Sequence, residues 1–91
     1  MTRVRSLPAA RHAVYRLAPD LLLVFKPRGH RESLHAHPYR QRLRVVRGRL
    51  AVATRRRRFR LSPRSGEVTL TAGRAHATHA LVDTWLLVRR S

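Results

Sequence analysis

The spacing of the apolar residues is the strongest constraint on the fold. From about Val14 onward they come in runs of four to six, broken by Gly, Pro, Ser or charge, with no sustained three-to-four period. That pattern suits short β-strands and leaves an amphipathic helix no continuous face. Strands are expected over His12–Leu17, Leu21–Lys26, Gln41–Val46, Arg49–Thr54, Arg58–Leu61, Glu67–Thr71, His76–Ala80 and Thr84–Val88. Leu43 and Val45 alternate with Arg42 and Arg44, Leu50 and Val52 with Ala51 and Ala53, Phe59 and Leu61 with Arg58 and Arg60. Each such strand offers one apolar face and one solvated face. Pro27-Arg28-Gly29, Gly48, Ser62-Pro63-Arg64-Ser65-Gly66 and Ala72-Gly73 supply the turns between them. Many short strands at regular spacing predict a sandwich or a closed barrel.

A chain of 91 residues has material for one core only. We therefore expect a single all-β domain over residues 12–91, preceded by a basic arm over residues 1–11. The arm carries Arg3, Arg5, Arg11 and Pro8 with little apolar content, and is read as extended, ordered against a partner subunit. Leu21–Phe25, the longest apolar run, is too short to span a bilayer and abuts Asp20. A soluble cytoplasmic protein without a membrane partner is expected.

Twenty-one basic residues face Asp20, Glu32, Glu67 and Asp83, a formal net charge of +17. Lys26 is the only lysine; every other basic residue is arginine. Such a field attracts polyanions. The competing explanation is a compositional habit that spells solvated positions with arginine. The run Arg55–Arg58 is expected at a hairpin tip with a loop wider than two residues, where it either grips phosphates or discourages edge-to-edge pairing. Neither Tyr nor Trp is interleaved with it, as stacking on single-stranded nucleic acid requires.

No cysteine is present, so any metal must take imidazole, carboxylate or amide ligands. His35 and His37 are separated by one residue, a spacing that in a strand sends both rings to one face about 7 Å apart. Tyr39 and Gln41 continue that parity if the strand runs without a bulge. Two neutral imidazoles on one face suit a divalent transition ion.

The wider spacing carries more. Gly29, five residues, His35-x-His37, three residues, Gln41, six residues and Gly48 resembles the first signature of the cupin family, where glutamate usually stands in place of Gln41. Gly66-Glu67, Thr71-x-Gly73, two residues and His76 resembles the second, with Thr71 at its usual proline and Ala80 at its usual asparagine. The resemblance runs from about Leu21 to Val88. It implies a small antiparallel jelly-roll barrel with His35, His37 and His76 as ligands of one divalent metal: iron, manganese, nickel, copper or zinc. Gln41 is the departure, a neutral amide that serves as a weak fourth ligand or a hydrogen-bonding neighbour. The competing reading is a barrel that keeps these histidines as pocket-lining groups without metal. His12, His30 and His79 have no support from either signature, and His79, on the opposite parity from His76, should face outward.

Around that site Tyr39 is the candidate to donate a proton or hydrogen bond, and Arg47, sharing Gln41's parity, is the candidate contact for an anionic substrate. Trp85 is read as core or interface packing. The three-histidine subgroup of the family implies an oxidoreductase of the iron dioxygenase type acting on a small acid. The alternative is a non-catalytic cupin that binds a polyanion or nucleic acid through its arginines. A small-molecule ligand and a homodimer are the expected partners.

Overall fold

The computed structural model describes residues 11–90. Of the expected basic arm, residues 1–10 lie outside the described residues, and Arg11 is exposed. Nine strands follow: β1 Ala13–Ala18, β2 Leu21–Lys26, β3 Arg31–His35, β4 Gln41–Arg47, β5 Leu50–Thr54, β6 Arg58–Leu61, β7 Val68–Leu70, β8 His76–Ala80 and β9 Thr84–Arg90. They form a five-stranded sheet in the order β1-β2-β9-β4-β7 and a four-stranded sheet in the order β3-β8-β5-β6. All pairings are antiparallel. This is the expected all-β jelly roll, with no helix among the described residues.

Alternation assigns the faces. Leu22 and Val24 of β2, Leu43 and Val45 of β4, and Leu86 and Val88 of β9 point inward from the larger sheet. They meet Leu50 and Val52 of β5, Leu61 of β6 and Ala80 of β8. Each fully buried Leu or Val contributes about 1.5–3 kcal/mol of transfer free energy. The packed part of this core occupies one end of the space between the sheets. The inward positions of β8 change along the strand from Ala80 through Thr78 to His76, so the lumen becomes polar toward its other end.

All eight expected strands recur: Leu21–Lys26, Arg58–Leu61 and His76–Ala80 with the expected bounds, and the other five with ends displaced by one or two residues. β3 is the strand the periodicity did not announce. Its sequence, Arg-Glu-Ser-Leu-His, has no apolar inward face, since Glu32 and His35 occupy the inward positions and the register shifts between them. The strand is held by its pairing with β8 instead.

Gly48 joins β4 to β5 at φ +104°, a conformation that L side chains rarely adopt. A Cβ there would lie 2.5 Å from the Asp83 carbonyl oxygen and 2.8 Å from the Thr84 Cα. Thr84, wholly buried, has its Oγ1 2.8 Å from the Val82 carbonyl oxygen and accepts from the Arg49 amide at 3.2 Å. The corner thus closes on backbone. The other end of this hairpin pair, the arginine tip, is the expected wide loop: Thr54 Oγ1 accepts from the Arg57 amide at 3.1 Å across the three residues Arg55–Arg57.

Candidate metal centre

β3 ends at His35, whose Cα partner on β8 is His76, so pairing of two distant stretches sets these two rings side by side. The expectation of one strand running through His35, His37, Tyr39 and Gln41 needs correction. The chain leaves the sheet after His35, bends at Pro38 and Tyr39, and re-enters at Gln41 as the first residue of β4. His37 reaches the other two from this loop. The three ring centroids lie 4.8 Å (His35–His37), 4.6 Å (His35–His76) and 5.5 Å (His37–His76) apart. One nitrogen of each falls within 4.8 Å of the others.

The hydrogen bonds at the back of the rings decide which nitrogen is free. His35 Nδ1 lies 2.7 Å from the Ser33 carbonyl oxygen and His76 Nδ1 lies 3.2 Å from that of Arg74. A carbonyl only accepts, so each Nδ1 carries the proton and donates it, leaving the Nε2 lone pair available. Backbone carbonyls that fix the tautomer this way are the usual support of metal-bound histidine. His37 Nδ1 is 3.2 Å from Tyr39 Oη, and the two rings stack at 5.0 Å. If Nε2 were to hold an ion, His37 would donate Nδ1–H to the phenol oxygen and the phenol proton would be free to serve a ligand. Three neutral imidazoles fixed in this way fit a divalent transition ion.

Burial, and then the neighbouring His35, hold the pKa of His37 below the ordinary imidazole value; burial is also the first cause of the lowered value at His76. Both rings are therefore neutral at pH 7 without a metal. In the metal-free protein the unfolded chain takes up protons first as pH falls below 6.5. Stability contributed by the neutral rings is present above that pH and is lost as pH falls through the folded-state values. We expect the melting temperature of metal-free protein to drop on acidification from pH 7 to pH 5, and the drop to shrink in a His37→Gln/His76→Gln double variant.

A cavity of about 180 Å³ opens on the triad. Val24, Leu43 and Leu86 line it as apolar wall, and Tyr39 and Gln41 both face it. Arg47 does not reach this volume. The register slips between Val45 and Arg47 where β4 pairs with β9, which breaks the parity shared with Gln41. Arg47 is exposed and lines a separate hollow with Phe25, Asp83 and Trp85. Arg90 stands where Arg47 was expected, lining the cavity with its guanidinium 5.1 Å over the Tyr39 ring. Trp85 packs on Phe25 at 4.8 Å and near Tyr15 at 6.3 Å, on the outer face of the larger sheet. Because Tyr39 supports His37 from behind, Tyr39→Phe is expected to weaken metal binding about tenfold, the scale of such supporting contacts, measured by competition with a chelator.

Three further groups line the same cavity and were not singled out from the sequence: Lys26, Glu32 and Arg90. Parity was the available signal for two of them, since Lys26 follows Leu22 and Val24 and Arg90 follows Leu86 and Val88 at two-residue steps. His12 and His30 also come together, stacked at 4.4 Å with nearly parallel planes, and with Glu32 they make a second convergence of ligand-type atoms. Parallel stacked rings direct their lone pairs side by side, and Glu32 is already engaged by Lys26 at 3.0 Å. That geometry suits a ring stack better than a metal. His79 faces the outer groove, as its parity requires.

No family model matches the sequence, and no curated protein matches it. Solved structures do. A cupin superfamily protein from Desulfitobacterium hafniense superposes with a TM-score of 0.72 at 14% identity, over 99% of this chain and 94% of that one. KdgF from Halomonas sp. superposes with a TM-score of 0.69 at 25% identity, over 93% of this chain and 81% of that one. The DMSP lyase DddQ from Ruegeria pomeroyi gives 0.72 at 23% identity, over 89% of this chain and 47% of the lyase.

Proposed function

This chain has the cupin fold, and from that premise we propose that it holds one divalent transition ion on His35, His37 and His76 and uses it to bind and transform a small anionic molecule inside the barrel. The observation that carries the reading is the convergence of three imidazole nitrogens, two of them with the tautomer fixed by backbone carbonyls. Three ligands leave coordination positions open, unlike a closed structural site. When bound, the ion supplies Lewis acidity to a substrate oxygen. The chain's own groups do the rest. Arg90 offers a guanidinium to a carboxylate at the rim, Tyr39 offers its phenol proton to a ligand oxygen, and Val24, Leu43 and Leu86 exclude water from one side. Gln41 faces the same volume and is proposed as a weak fourth ligand or as a hydrogen-bond donor to a bound anion.

Cobalt-loaded protein tests this, because its visible absorption reports coordination. Acetate is expected to shift the band in a saturable way, and Arg90→Ala to raise the dissociation constant severalfold. A band indifferent to acetate contradicts an open site. For the chemistry itself we propose the oxidative form, an iron-dependent dioxygenase. Iron-loaded protein should then consume dioxygen only when a small acid is present. Consumption at baseline points instead to non-redox chemistry, of which the neighbouring DMSP lyase is an example.

The polyanion alternative has its own feature. Arg31, Arg58 and Arg60 wall a groove of about 690 Å³ on the outer face of the four-stranded sheet, floored by Ala51, Ala53 and Ala77. Nucleic-acid binding that survives replacement of all three histidines and is lost in Arg58→Ser/Arg60→Ser would favour it. We also propose a homodimer, supported by Val14, Tyr15 and Leu17, about half exposed on the edge strand β1.

A further inference from the structure

The single lysine of this chain is more deeply buried than any arginine among the described residues. Lys26 is 5% exposed, whereas many of the arginines lie at the surface. Its Nζ reaches 3.0 Å from Glu32 Oε1, and the Thr78 hydroxyl donates to that same oxygen at 3.3 Å. Both Lys26 and Glu32 line the cavity that opens on the histidines. Burying an ammonium costs desolvation that one ion pair often fails to repay, and an apolar residue at position 26 would serve stability as well. A buried lysine paired with a carboxylate that stays 35% exposed, both lining an open cavity, is better explained by what the two can bind.

Its unused valences define that ligand. An ammonium has three donors, and one is directed at Glu32. Glu32 Oε1 is taken, but Oε2 has as its nearest described partner His30 Nε2 at 3.9 Å, too far for a hydrogen bond. His30 Nε2 is itself buried without a hydrogen-bond partner among the described residues. The subsite thus presents a free donor beside a free acceptor. A second carboxylate there would be repelled by Glu32, and a carbonyl would use only the donor. A hydroxyl uses both, accepting from Lys26 and donating to Glu32. Thr78, which bonds Glu32, lies two residues from His76 on the same inner face, about 7 Å away. At about 30 Å³ per water, the cavity of about 180 Å³ has room for on the order of six waters, so the ligand is short.

We infer that Lys26 and Glu32 form a second subsite that reads a hydroxyl on the molecule held at the histidines, which makes the ligand class a short-chain hydroxy acid. This rests on the proposed metal-borne anion site. It assigns the carboxylate to the ion and Arg90, and the hydroxyl to the Lys26–Glu32 pair.

The test is calorimetric titration of cobalt-loaded protein with acetate, propanoate and butanoate, and with glycolate, 3-hydroxypropanoate and 4-hydroxybutanoate. At one chain length or more, the hydroxy acid is expected to bind about tenfold tighter than its parent. That ratio should fall to near one in both Lys26→Met and Glu32→Gln, with metal content unchanged. If Lys26→Met does not fold, as judged by thermal melting, Glu32→Gln carries the comparison. A ratio near one at every length in the unaltered protein overturns the inference, as does a raised ratio that survives the substitutions, which marks chelation by the ion alone. If the parent acids bind and the hydroxyl adds nothing, only this inference fails. If neither series binds, the anion site fails with it.

Discussion

His76→Ala is expected to lower metal affinity by more than about a hundredfold, beyond the 10–100-fold that loss of a supporting contact costs. His76 is 5% exposed and its backbone lies on β8 between β3 and β5, and a water filling the space left by its ring is a weaker ligand than an imidazole fixed by the sheet. His35 and His37 would remain as a two-imidazole pair, one at a strand end and one in a loop. Two readouts check this. Elemental analysis after dialysis should find one ion per chain in the unaltered protein and little in the variant. Thermal melting should rise with added metal in the unaltered protein, by the equivalent of about 2.7 kcal/mol at a hundredfold excess over the dissociation constant, and stay flat in His76→Ala.

Gly48→Ala is expected to cost about 3 kcal/mol or more, enough to lower the melting temperature of a domain this size by over about 10 °C. Two costs add. A left-handed conformation costs an L residue about 1–2 kcal/mol, and the new methyl would fall 2.5 Å from the Asp83 carbonyl oxygen, which is backbone and cannot swing aside. The required shift would pull on Thr84, the wholly buried residue that ties β9 to the β4–β5 corner. Gly29→Ala provides the contrast. Its φ is +85° but nothing lies within 4 Å of the added carbon, so only the conformational cost applies. Equal losses at the two positions would show that the close approach at Gly48 does not matter.

These two positions mark the parts of the molecule that were most legible in the sequence. Gly48 and the histidines stand at fixed spacings, and alternation along β4, β5 and β6 announces which face is buried. The same alternation is silent for β3. There Glu32 and His35 take inward positions that a structural strand would give to valine or leucine, so the pattern fails where the strand serves the lumen. Arg47 was misplaced for a related reason. A bulge opposite Trp85 shifts the count by one, and no residue in the β4 sequence signals it. Lys26 and Arg90 were readable in principle, because each extends an apolar row at two-residue steps. What hid them is that charged residues at strand ends ordinarily belong to solvent, whereas here Lys26 is buried against Glu32 and Arg90, itself exposed, lies over Tyr39 at the rim of the cavity. His37 was assigned to the site for the right partners and the wrong backbone, since a loop carries it there.

The most direct test of the metal centre is anomalous diffraction from crystals of protein purified without an affinity tag, collected on both sides of the absorption edge of the element found by elemental analysis. The account predicts one peak inside the barrel, about 2.0–2.2 Å from nitrogens of His35, His37 and His76. A metal-replete crystal with its peak beside His12, His30 and Glu32, or with none within bonding distance of the triad, would contradict it.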